Sequence, residues 1–268
     1  MKTVKIVSLA FVSTFVLFSC KDAKTSPSEV ELISEKEIAL AETALEENPN
    51  DSYLYVTAST GLSLREYANL QSEKLAVMPY GTRVKVIASE ENSTMRIGEI
   101  KGGMDEIEFN QKKGFAFNGF LSKYFPPEKG ISTKGYAEEL KGDFPKVLFT
   151  ETTGGTASKP TNTETLIIPE SEWHEAFYIA QQLFNFPKEF VFPSSKGKEF
   201  QVIKEKMFQN NTSTTLSTSS WTSELQITRK DNALTKIECV YKNKGFSKLV
   251  TITKEGNKMK ISKTEIVE

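Results

Sequence analysis

The stretch from Tyr53 to Tyr124 constrains the fold most, because short apolar–polar alternations recur there between strong turn signals. Tyr55-Val56-Thr57-Ala58 opens it with β-branched and aromatic residues that suit a half-buried, extended backbone. Ser59-Thr60-Gly61 turns the chain into Leu62-Ser63-Leu64-Arg65, which alternates with period two. A polar loop from Glu66 to Lys74 separates it from Leu75-Ala76-Val77-Met78. Pro79-Tyr80-Gly81 makes the next turn, since proline presets φ and glycine tolerates positive φ. Thr82 to Ile87 then alternates again, with Val84 and Val86 on one face. Several short strands punctuated in this way predict a small barrel.

The order of these motifs is similar to that of a bacterial SH3 (SH3b) domain. Val56-Thr57-Ala58, Gly61-Leu62-Ser63-Leu64-Arg65, the nine-residue loop and Met78-Pro79-Tyr80-Gly81-Thr82-Arg83-Val84-Lys85-Val86 fall in the family's sequence. Gly114 to Tyr124 resembles its closing strand, Gly-aromatic-x-x-x-x-Leu. The resemblance covers roughly a quarter of the chain. Ser63, Glu66-Tyr67 and Phe115 depart from the family's Asn, Ser-Gly and Trp, and the hairpin from Glu90 to Lys113 is enlarged. The resemblance implies a groove between the Glu66–Lys74 loop and the closing strand that engages peptidoglycan or a cell-wall peptide. Arg65, Tyr67, Tyr80 and Phe115 are its candidate contacts, offering aromatic faces and one charge; each also suits core packing, and for Arg65 and Phe115 the structural role is the stronger reading.

The amino-terminal residues read as a targeting segment. Lys2 and Lys5 flank an apolar run, Ile6 to Phe18, that ends at Ser19-Cys20. This is a secretory signal pattern, and the run is shorter than the about 20 residues a spanning helix needs. Leu17-Phe18-Ser19-Cys20 resembles a bacterial lipobox, which implies cleavage after residue 19 and lipid attachment to Cys20. At about 0.8 kcal/mol per buried methylene, several acyl chains would hold the mature protein permanently on a membrane. The expected organisation is a signal peptide over 1–19, a lipidated tether and acidic helix over 20–52, and a barrel over 53–125. A linker over 126–145 and a second domain over 146–268 follow. The helix is expected from Glu29 to about Glu47, with Ser28 and Glu31 as a capping box and Asn48-Pro49-Asn50 as its stop.

In the enlarged hairpin, Met95 and Ile97 lead to a turn expected at Gly102-Gly103, and Ile107 and Phe109 return. Glu106 and Glu108 share a face there. No partner is evident that would raise one pKa for acid–base work, so a solvated, charged strand edge is the expected reading. Pro126, Pro127 and Gly130 mark the boundary. A strand from Lys146 to Thr150 precedes a flexible loop, Gly154 to Pro160, which lacks the spacing of a phosphate loop. Leu166-Ile167-Ile168 is apolar, and Ser171 can cap a helix reaching about Asn185. Trp173, Ala176, Phe177, Ala180, Leu183 and Phe184 form its buried stripe. The remainder reads as an antiparallel meander, with an extended Ser/Thr-rich stretch over 212–222 and turns at Asp231-Asn232, Asn243-Lys244-Gly245 and Glu255-Gly256-Asn257. The expected fold class is therefore mainly β: a small SH3-like barrel, then an α+β domain in which one helix packs on an antiparallel sheet.

A formal net charge of −1 gives no electrostatic footprint for nucleic acid. His174 is the only histidine, and it lies one position off the stripe of its helix. With Cys20 committed to lipid, Cys239 is the sole thiol nucleophile on offer, and its alternation with Ile237 and Tyr241 places it in a core. A zinc site would need ligands the chain lacks, so no metal, cofactor or catalytic residue is expected. The expectation is a non-catalytic, lipid-anchored cell-envelope protein, on the periplasmic side or the cell surface, that binds peptidoglycan. The alternatives are a docking module that holds an envelope protein through its Lys-rich carboxy-terminal meander, and a degenerate cell-wall hydrolase. Asp231 to Glu268 carries eight lysines against five acids, which suits the first alternative.

Overall fold

The computed structural model describes residues 52–205 and 222–267. The signal peptide, Cys20, the acidic helix and most of the Ser/Thr-rich stretch lie outside the described residues. No described helix is long and apolar enough to cross a membrane.

The described residues are mainly β, forming two seven-stranded antiparallel sheets, one small hairpin and two helices. The first sheet holds β1 (Ser52–Val56), β2 (Leu62–Arg65), β3 (Lys74–Met78), β4 (Arg83–Ala88), β7 (Met104–Phe109), β8 (Lys112–Phe117) and β9 (Leu121–Ser122) in the order β3-β2-β8-β7-β4-β1-β9. Val56, Leu64, Met78, Val84, Ile107 and Ala116, all 1% exposed or less, come from six of those strands and share one core. A flat sheet could not bring them together, so the sheet curls over itself while its end strands stay unpaired with each other. Gly114 permits the close approach of β8 to its neighbour β2, since a Cβ there would lie 2.5 Å from the Arg65 carbonyl oxygen.

Between β4 and β7 the chain makes a separate hairpin of β5 (Met95–Ile97) and β6 (Ile100–Gly102). Its turn falls at Gly98-Glu99, with Gly98 at φ +57°, and not at Gly102-Gly103. That second glycine pair runs past Asn118 instead: the Gly103 amide donates to Asn118 Oδ1 at 2.8 Å. Asp105 is buried beside it, accepting from Asn118 Nδ2 and from the Glu90 amide. Glu106 and Glu108 sit in β7, half-exposed, paired with Phe115 and Lys113.

The second sheet orders β10 (Leu148–Thr156), β11 (Lys159–Pro169), β16 (Lys258–Val267), β15 (Phe246–Glu255), β14 (Ala233–Asn243), β13 (Thr222–Lys230) and β12 (Phe200–Lys204). Gly154 to Pro160 is a hairpin tip rather than a loose loop, with Gly155 paired to Pro160. Asp231 and Asn232 take φ of +53° and +58°, as the two-residue hairpin turn there requires. Two helices, not one, cover a face of this sheet. The expected one is α2 (Trp173–Phe184), closed at Asn185 in the left-handed conformation. The other, α1 (Thr133–Asp143), fills the span read as a linker. Ser132 caps it by accepting from the Gly135 amide, and it buries Tyr136, Ala137 and Leu140 in the same core as Phe177, Ile237 and Ile252. The segment is therefore part of the core beneath the second sheet.

The two halves form one compact unit. Ser122 Oγ donates to Glu175 Oε1 at 2.5 Å, Tyr124 Oη to the Pro169 carbonyl, and Lys123 pairs with Glu170 at 2.9 Å. Tyr178 and Phe192 of the second half pack on the first half's core.

Candidate functional site

A cavity of about 400 Å³ opens where the first sheet meets α2. One wall is the turn Ala58-Ser59-Thr60-Gly61 and the start of β2. Gly61 shapes it at φ +86°, where a Cβ would lie 2.9 Å from the Met78 carbonyl oxygen. Ser59, Thr60 and Ser63 bring three hydroxyls to this wall, each able to donate and accept. Arg65 and Leu70 form the rim contributed by the polar loop. The guanidinium donates from Nη1 to the Ser72 carbonyl at 2.7 Å, and the Tyr67 amide donates to Ser72 Oγ at 3.1 Å, so the loop is tied to its own base.

The opposite wall is aromatic. Phe117, just before the 3-10 turn Asn118–Phe120, and Phe120, its last residue, stand 5.7 Å apart edge to face, and Phe120 lies 6.4 Å from Tyr178 of α2. Burial pushes the Tyr178 phenol above its ordinary pKa, so it remains a neutral donor and acceptor across the physiological range. Ile97, at the tip of the small hairpin, closes the end. The cavity thus offers an apolar aromatic floor, hydroxyls along one side and a single cation. It can hold a small amphipathic ligand of the size that such pockets accept.

The four candidate contacts do not converge. Arg65 alone lines the cavity. Phe115 pairs with Arg65 across β2 and β8 and packs half-buried on the core. Tyr67 is 62% exposed on the loop, and Tyr80 lines a separate groove with Tyr55 and Phe125. The residues that reasoning from sequence missed are Phe117, Phe120 and Tyr178. The two phenylalanines were legible only as parts of a closing strand. Tyr178 sits beside the buried stripe of α2 and gave no signal of its own.

The two groups a hydrolase would need are held apart. Cys239 is buried in β14 between Leu225 and Val250, and burial pushes its thiol up to about 11. Its hydrogen-bond partner Tyr241 donates to the Asn185 carbonyl at the carboxy-terminal end of α2. His174 stands in the first turn of the same helix, which is about 18 Å long. Its ring packs edge to face on Phe192 at 6.0 Å, and burial lowers its pKa against the opposing pull of Glu175 and Glu172. Among the described residues, no group of three or more His, Cys, Asp or Glu side chains is arranged to hold a metal ion.

No protein-family model matches this chain, and no curated protein does either.

Proposed function

We propose that this chain is a non-catalytic, lipid-anchored envelope protein whose first half, an SH3b-like domain, binds peptidoglycan through a wall peptide seated in the 400 Å³ cavity. The observation that carries this reading is the cavity's position and lining. It lies between the polar loop and the closing segment, where the resemblance to SH3b domains implies a ligand groove, and it joins a cation and hydroxyls to three aromatic rings. A wall peptide is short and mixes carboxylate, amide and aliphatic groups, which those walls complement. The thiol is buried and neutral, and it lies toward the opposite end of α2 from the imidazole, which supports binding without a Cys–His pair. The amino-terminal signal pattern and Cys20 support an envelope location.

Co-sedimentation with purified sacculi tests the proposal. The chain is expected to pellet with sacculi, and Phe120→Ala to pellet less. Equal pelleting of both, or no pelleting of either, rejects this site.

A further inference from the structure

The second concavity, which Tyr80 lines, has a different chemistry. It is a groove of about 770 Å³ between the first sheet and the two helices. Tyr55, Tyr80 and Phe125 supply its rings, with Tyr55 and Phe125 edge to face at 5.8 Å. Glu139 of α1, Gln182 of α2 and Glu128 of the intervening chain supply its polar groups. The hydroxyls of Tyr55 and Tyr80 and the Gln182 amide have no hydrogen-bond partner among the described residues, and all three residues are half-buried in its wall. Burial of the Tyr80 ring raises its phenol to about 12, so its proton stays in place at neutral pH.

The lining argues against three ligand classes. Carboxylates outnumber the one ammonium, Lys129, which disfavours phosphate and other anions. The strand in the groove, β1, is already paired on both sides with β4 and β9, so it offers no free edge for an extended peptide. The rings and proline faces are interrupted by polar groups that both donate and accept, which poorly suits a lipid chain. A sugar ring fits. It has one apolar C–H face to lie on a tyrosine and a rim of hydroxyls, each both donor and acceptor.

We infer that this groove is a saccharide-binding site for a neutral oligosaccharide, separate from the cavity at Arg65. The glycan lies on the Tyr55 and Tyr80 rings, with its hydroxyl groups bonded to Glu139, Gln182 and the two phenols. The site stands independently of the peptide cavity, since the two share no lining residue.

Isothermal titration of a chitin tetramer into the full-length chain tests the inference. Binding is expected, with affinity falling at least about tenfold in Tyr80→Ala, as loss of a stacked aromatic does, and unchanged in Phe120→Ala. Tyr80 is half-buried, so Glu139→Ala, an exposed position, provides a variant that keeps the fold and is expected to weaken binding severalfold. No heat of binding with the unmodified chain overturns the site. So does retained affinity in Glu139→Ala, or a loss in Phe120→Ala that Tyr80→Ala does not share. Failure of wall-peptide binding in Phe120→Ala with tetramer binding intact would leave this site standing and show that the two are distinct.

Discussion

Replacing Glu175 with alanine probes the junction that sets the walls of the cavity. Glu175 stands in the first turn of α2, and its carboxylate accepts three hydrogen bonds. They come from Ser122 Oγ at 2.5 Å, Ser171 Oγ at 3.1 Å and the Glu172 amide at 2.7 Å. Ser122 is 3% exposed and Ser171 1%, so the substitution leaves two hydroxyl protons in the interior without an acceptor. Loss of the acceptor at the helix start costs about 1 kcal/mol, and each stranded hydroxyl about 1 kcal/mol or more. The sum, about 3 kcal/mol, corresponds to a fall in Tm of about 6–12 °C for a unit of this size. Differential scanning calorimetry measures it, with Glu138→Ala as the control. That residue makes only an exposed pair with Lys134 at 3.9 Å, worth less than about 1 kcal/mol. In a double-mutant cycle Glu175→Ala and Ser122→Ala should couple by about 1 kcal/mol. A Tm in Glu175→Ala equal to that of Glu138→Ala, or additive single changes, refutes the reasoning that this carboxylate fastens the two halves.

Other outcomes follow from buried groups. Arg229 is 4% exposed and donates to the Ser194 and Lys198 carbonyls and to Gln201 Oε1, so Arg229→Met should cost about 3 kcal/mol in urea unfolding by freeing the chain ahead of β12. Cys239, with its thiol at about 11, should be only about one part in a thousand thiolate at pH 8. A Cys20→Ser chain should accordingly resist a disulfide reagent when native and take up one equivalent in guanidinium chloride. His174 has a folded pKa below the ordinary 6.5, so the unfolded chain binds its proton first as the pH falls. Stability should decline from about pH 6.5 down to the lowered folded value and level off below it, and His174→Gln should flatten that part of a urea-midpoint profile.

Local alternation and turn chemistry made the strands readable. Leu62–Arg65, Arg83–Ala88 and the meander after Asp231 fall where period-two patterns and Gly, Pro or Asn turns put them. The stripe from Trp173 to Phe184 likewise set the helix and its buried face. Helix α1 escaped because Gly135 and Gly142 weaken it as an isolated helix, and only three of its apolar residues mark the buried face. Its stability comes from Tyr136, Ala137 and Leu140 packing on a sheet far along the chain, which local periodicity does not report. The cavity was half-visible for the same reason. Arg65 and the loop are local features, whereas the approach of Phe120 to Tyr178 depends on how the two halves meet. The buried Asp105–Asn118 pair was hidden too, since an acid in an acid-rich hairpin reads as a solvated one.

Calorimetric titration of soluble peptidoglycan fragments into the chain, into Phe120→Ala and into Tyr178→Ala tests the central proposal most directly. Saturable binding that drops about tenfold or more in both variants, each still folded by circular dichroism at the titration temperature, is the expected result. Fragments that bind all three proteins equally, or that are cleaved during the titration, contradict it.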